Sequence, residues 1–143
     1  MTRSSAADDQ TPIRPDGDDH HTMAVFARDV MSVSSARAWL TRFLDDHQVR
    51  SSISADASLI LSELVTNALR HGVGDIVTLG SVDDDEVRVS VIDSGDDLPA
   101  LVPASSGRIG GMGLHVVGSV ADTWGVAPFP GGKTVWATLR LHQ

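Results

Sequence analysis

The sequence predicts an α+β domain: a two-layer α/β sandwich with helices on one face of a mainly antiparallel, mixed sheet. Three observations carry this. The periodic segments run β, α, α, β, β, long loop, α, β, β. The strands group into hairpins, whereas a doubly wound parallel fold alternates single strands with helices. And 143 residues, 41% of them apolar, suit one domain with one core.

Each element has its own warrant. Residues 1–21 hold five Asp and two Arg among Pro, Gly and Ser, with too little apolar surface to offset the entropy of ordering, so a disordered acidic tail is expected before a domain spanning 22–143. His20 and His21 form an adjacent pair in that tail, without the further fixed ligands a metal site needs. Met23 to Ala27 is an apolar run of strand length. From Ser34, Ala36, Trp39, Leu40, Phe43 and Leu44 recur at helical spacing, predicting a helix to about His47. A second helix is expected from Ser54 as N-cap, with Asp56 in its first turn, until Gly72 stops it.

Ile76–Leu79 and Val87–Ile92 flank the acidic turn Asp83–Glu86 and predict an antiparallel hairpin. Residues 94–113 are rich in Gly, Pro, Ser and Asp, a loop of the length that is usually functional or disordered. A third helix is expected over Leu114–Ala121, then a closing hairpin of Thr123–Phe129 and Thr134–Leu141 about the turn Pro130–Lys133. Trp39, Trp124 and Trp136 are expected in the core. There is no internal repeat.

Charge and composition exclude several classes. A net charge of −8 argues against nucleic acid or an anionic membrane as main partner, since both select an excess of Lys and Arg. Cysteine is absent, which removes disulfides, thiolate nucleophiles and Cys-based zinc sites. With no apolar signal region and no run of the ~18 apolar residues a membrane span needs, the chain reads as soluble and cytoplasmic.

Three segments carry chemistry. Glu63, Asn67 and His71 are spaced by four on the second helix and share one face. A polar stripe is often a solvated surface, but Glu, Asn and His are not the usual Lys and Glu of one. Asp93-Ser94-Gly95 ends a strand with a carboxylate beside a glycine. It can accept from an exocyclic amine with a planar ring against the backbone, or it can simply open a turn. Gly107 to Leu114 is a glycine-rich loop containing Arg108 and running into a helix. That arrangement suits phosphate, although a plain linker has the same composition, and it matches neither the P-loop nor the dinucleotide fingerprint.

Taken together, Glu63 to Gly72, Asp93-Ser94-Gly95, Gly111-Met112-Gly113-Leu114 and Gly131 to Trp136 resemble, in order, the N box and the glycine boxes of the GHKL ATP-binding superfamily. Gyrase, the large heat-shock chaperone and the histidine kinases belong to it. With Ser35-Ala36-Arg37 opening the first helix, the short form resembles the stand-alone anti-sigma-factor serine kinases of bacterial partner switching. The resemblance implies a Bergerat-type sandwich and the cofactors ATP and Mg²⁺. Asn67 becomes the metal ligand and Glu63 the general base toward a serine hydroxyl. Asp93 reads the adenine amino group and Gly95 lets the ring pack. Gly111, Gly113 and Leu114 line the phosphates, Arg108 meets the γ-phosphate, His71 lies near the phosphates and Thr134 contacts adenine.

Two positions depart from the pattern: Asp97 stands where the first glycine box usually has a second Gly, and Lys133 intervenes before Thr134. The implied function is an anti-sigma factor that phosphorylates an anti-sigma antagonist. A sigma factor and that antagonist are the partners, and a homodimer is implied. The alternative is a module that binds ATP without turnover and docks on a regulatory protein.

Overall fold

Over the residues that the computed structural model describes, 20–94 and 112–142, eight elements follow one another. They are β1 (His21–Phe26), α1 (Met31–Asp46), α2 (Ser51–His71), β2 (Val73–Val82), β3 (Glu86–Ser94), α3 (Met112–Val120), β4 (Thr123–Phe129) and β5 (Gly132–Arg140). The strands form one sheet in the order β1-β2-β3-β5-β4. Each neighbouring pair is antiparallel, so the sandwich is as expected, while the expected mixed character of the sheet is absent among the described residues.

The pleat divides the sheet into two faces. On β3 every second residue, Val87, Val89 and Val91, is buried, and the register sets them opposite Leu139, Ala137 and Val135 of β5. Ile76, Thr78 and Val82 of β2 join the same face. Against it lie Leu40 and Leu44 of α1, Ile60, Leu61, Leu64 and Val65 of α2, and Leu114 and Val117 of α3. All three helices therefore cover one face. The other face carries Met23 and Val25, both exposed, and Trp136, on which the Arg88 guanidinium stacks at 4.4 Å. Trp136 is thus not in the inter-layer core as expected, and Trp124 on the edge strand stays 38% exposed; Trp39 does pack against the core. Gly125 leaves room for the Trp136 ring, since a Cβ there would lie 2.7 Å from Cζ2.

Element starts differ from the periodicity. The tail's residues 1–19 lie outside the described residues, and β1 opens at His21, ahead of Met23. α1 starts at Met31, not near Ser34, because the Met31 N–H donates to Asp29 Oδ1 (2.8 Å) and fixes the first turn. Val30 just before it and Met31 at its start are exposed and so add nothing to the apolar period. α2 starts at Ser51 after the chain reverses at Gln48 (φ 60°), with Arg50 extended just before it. Ser54, expected as the N-cap, is a buried interior residue one turn later. Among the described residues no helix is long and apolar enough to cross a membrane.

Two charged groups hold element ends. At the β2–β3 turn, Asp83 Oδ1 accepts from the N–H groups of Asp85 (2.7 Å) and Glu86 (2.9 Å). These bonds, with His20 contributing less, hold the Asp83 carboxyl below its usual range. At the far end of α2, Arg28 donates to the carbonyls of Leu69 (2.6 Å), Ala68 (2.9 Å) and Gly74 (3.1 Å). The guanidinium satisfies the Leu69 carbonyl that the helix C-terminus leaves open, adds to the bond that Ala68 already accepts from Gly72 N–H, and opposes the helix's negative end.

Arg28→Ala should therefore lower stability by about 2 kcal/mol in urea unfolding, the scale of losing hydrogen bonds to a charged group. The Asp83 turn should be pH-sensitive in the acid direction. A depressed carboxylate stabilises the fold above its ordinary pKa and loses that contribution as pH falls through the lowered value. Asp83→Ala should flatten the acid limb of stability against pH; an unchanged limb would show that other carboxylates set it.

Candidate functional site

Two structural features meet at one end of the sandwich, the polar face of α2 and the open end of the β3–β5 ladder. On α2 the helical rise spaces Glu63, Asn67 and His71 by about 6 Å each along the axis. Asn67 is 7% exposed, and among the described residues its side-chain amide has no hydrogen-bond partner. A buried amide usually finds one. Glu63, half-buried, lines a groove of ≈ 590 Å³ between α1 and α2 with Arg37, Thr41, Ser58 and Ser62. His71 ends the helix and is followed by Gly72.

On the sheet, the inner row Val87, Val89, Val91 continues to Asp93, and the facing row Leu139, Ala137, Val135 continues to Lys133. Lys133 Nζ donates to both carboxylate oxygens of Asp93, at 3.1 and 3.2 Å. Both residues are nearly closed to water, at 3% for Asp93 and 1% for Lys133. Gly72 joins the two features, because a Cβ there would lie 3.0 Å from Asp93 Cγ and 2.9 Å from Arg28 Nη2. The end of α2 can approach the carboxylate only where a side chain is missing.

The structure thus brings His71 and Asp93 to the same end of the molecule, with Asn67 and Glu63 successively further along α2. It does not bring Thr134 to Asp93. Thr134 pairs with Ile92 and by alternation belongs to the opposite face of the sheet, and Lys133 takes the place beside the carboxylate. Leu114 is buried at 4% among the core residues, so its side chain serves packing. Gly113 lies in the first turn of α3, while Gly95, Arg108 and Gly111, like Asp97, lie outside the described residues. The sequence reading treated Lys133 only as a departure and did not single out Arg28. The one signal for Lys133 was its place two residues after Gly131, a strand position once Pro130-Gly131 is taken as the whole turn.

Helices on one face of an antiparallel sheet, with a buried carboxylate at a strand end beside an Asn-bearing helix, form a two-layer α/β sandwich. Residues 26–139 match the model of the histidine kinase-like ATPase domain, and the chain belongs to that family. Among solved structures it is similar to the RsbU and RsbW domains of Rv1364c from Mycobacterium tuberculosis, with a TM-score of 0.67 and 25% identity. That match covers 84% of this chain and 32% of the other, so the chain spans about a third of that protein. No curated protein matches the sequence.

The Asp93–Lys133 pair should couple strongly in a double-mutant cycle. Lys133→Met alone removes the donor to both oxygens of a buried carboxylate and should cost about 3–5 kcal/mol, whereas Asp93→Leu combined with Lys133→Met should cost much less than the two single changes summed. Additive losses in chemical denaturation would mean that the two charges do not stabilise one another.

Proposed function

We propose that this chain is an ATP- and Mg²⁺-dependent protein serine/threonine kinase that acts as an anti-sigma factor. It binds a sigma factor and phosphorylates the antagonist protein that competes for it. The observation that carries the reading is Asn67: buried, with no amide partner among the described residues, and one helical turn beyond a carboxylate. A neutral oxygen in that setting fits a hard divalent cation bridging phosphates. Membership of the histidine kinase-like ATPase family and the likeness to a protein with an RsbW domain support it.

When bound, Mg²⁺ neutralises charge on the transferring phosphoryl group. The chain's residues do the rest. Asn67 supplies an oxygen to the cation. Asp93 accepts from the purine edge. Glu63, in the groove between α1 and α2, takes the proton of an incoming serine hydroxyl, and the groove gives that hydroxyl a path to it. His71 lies near the phosphates, Gly95 lets the base pack against the backbone, and Gly111, Gly113 and Arg108 meet the phosphates. A second reading, a docking module that holds ATP without turnover, is favoured by one feature: the Asp93 carboxylate is already engaged by Lys133.

Asn67→Ala should abolish the Mg²⁺ dependence of ATP binding in calorimetry; unchanged affinity with Mg²⁺ present would remove Asn67 from the metal. Glu63→Gln should keep nucleotide affinity within a few-fold and lower single-turnover transfer to an antagonist serine by roughly 10², the scale of losing a positioned base. Equal rates in both proteins would sink the base assignment, and no transfer from either would favour the docking module.

A further inference from the structure

Lys133 is the only lysine of the chain, and it is buried. A strongly hydrated ammonium is almost never taken wholly out of water unless it is paired. Here it donates to both oxygens of Asp93, at 3.1 and 3.2 Å, and the two side chains are 1% and 3% exposed. The carboxylate is also closed in on the side of α2. A Cβ on Gly72 would lie 3.0 Å from Asp93 Cγ, 3.0 Å from the Ser94 carbonyl oxygen and 2.9 Å from Arg28 Nη2, so the packing there admits no further group. Yet Asp93 is the group that accepts from the purine amine in the function proposed above. An amine reaches those oxygens only where the ammonium now lies.

We infer, resting on the nucleotide-binding reading above, that Lys133 is an internal competitor for the base site: its ammonium holds Asp93 in an autoinhibitory contact, and nucleotide binds once Lys133 has swung away. The two occupants do the same chemical job, since each is an N–H donor to the carboxylate. They differ in charge, and a charged donor makes the stronger bond, so the ion pair is the favoured state of the free protein. The exchange does not strand the ammonium. Lys133 is the second residue of β5, beside the turn Pro130-Gly131, and its four-carbon stem can carry the charge past the end of the ladder into water while the strand stays paired with β3. The carboxylate exchanges one donor for another. A protein whose competent state is a minor population binds with an affinity reduced by that fraction, so the contact sets the nucleotide concentration at which the site fills. A pair that served only to hold β3 to β5 would leave that concentration unchanged.

The test is calorimetric titration with ATP in Mg²⁺ of the wild-type protein, of Lys133→Gln, which keeps a neutral donor, and of Lys133→Met, which keeps the bulk without one. Both variants should bind ATP at least about tenfold more tightly than the wild type, the factor expected when the competent state is about a tenth of the population or less. Equal or weaker binding by a folded variant would overturn the inference and leave the nucleotide reading intact. Because the chain has one lysine, acylation of amines followed by mass spectrometry of the peptide that contains residue 133 reads the contact in the wild type directly. Lys133 should resist acylation in the free protein and react at least about tenfold faster under saturating ATP and Mg²⁺, as the opened fraction rises. Protection unchanged by bound nucleotide would overturn the inference as well, and this measurement decides if neither variant folds. If ATP binds neither to the wild type nor to a folded variant, the nucleotide reading itself fails and takes the inference with it.

Discussion

The pleat of β3 is the constraint from which the rest follows. Side chains alternate with a period of two, so the register that sets Val87, Val89 and Val91 against the helices also aims Asp93 into the same layer. A slip of β3 by one residue would expel the valines and, in the same step, carry Asp93 to the opposite face from Lys133. Core and site therefore share one register. The core of α2, at Ile60, Leu61, Leu64 and Val65, is packed against that face, which fixes where its polar stripe lies relative to the end of the ladder.

Stability alone does not account for Asp93 and Lys133. Two ions taken out of water lose hydration that their attraction only partly returns, and an apolar pair of similar volume is often as stable. Three valines precede Asp93 on the same row, so a fourth apolar residue would continue the core without strain. The surroundings adjust to the charge instead. The last carbonyls of α2 present the negative end of the helix dipole near the carboxylate, an unfavourable juxtaposition, and the Arg28 guanidinium brings positive charge to the same end, bound to Ala68 and Leu69. Gly72 removes the Cβ that would keep helix and strand apart.

What was legible in the sequence was what is local. The type and order of every element in the described residues followed from periodicity, and the Glu63, Asn67, His71 stripe followed from the helical repeat alone. Element starts did not, because they depend on reversals such as Gln48 at positive φ and on the Asp29 contact to Met31. The non-local pairing of β3 with β5 was also hidden. Reading Pro130–Lys133 as one turn made Thr134 the first strand residue. The turn is only Pro130-Gly131, with Gly131 at φ 91°, so Gly132 and Lys133 already belong to β5 and the facing residue changes from Thr134 to Lys133. Arg28 carried no periodic signal, since its partners lie about forty residues away.

The same geometry separates the proposed tasks along a single helix. Glu63 and His71 differ by eight positions, a rise of about 12 Å, and Asn67 lies midway. A base held at Asp93, beside the Gly72 end, leaves its phosphates to run back toward Asn67. A protein hydroxyl has to come from elsewhere, and the α1–α2 groove opens on Glu63. A base that must be free to accept a proton is better placed in that half-open groove than beside Asp93, where a second carboxylate would face a site already arranged around one. Because α2 is one rigid element packed along its apolar side, these distances cannot change independently. Substitutions that move its C-terminal end, at Arg28 or Gly72, therefore act on nucleotide and hydroxyl positions together, although neither residue touches the reacting atoms in this reading.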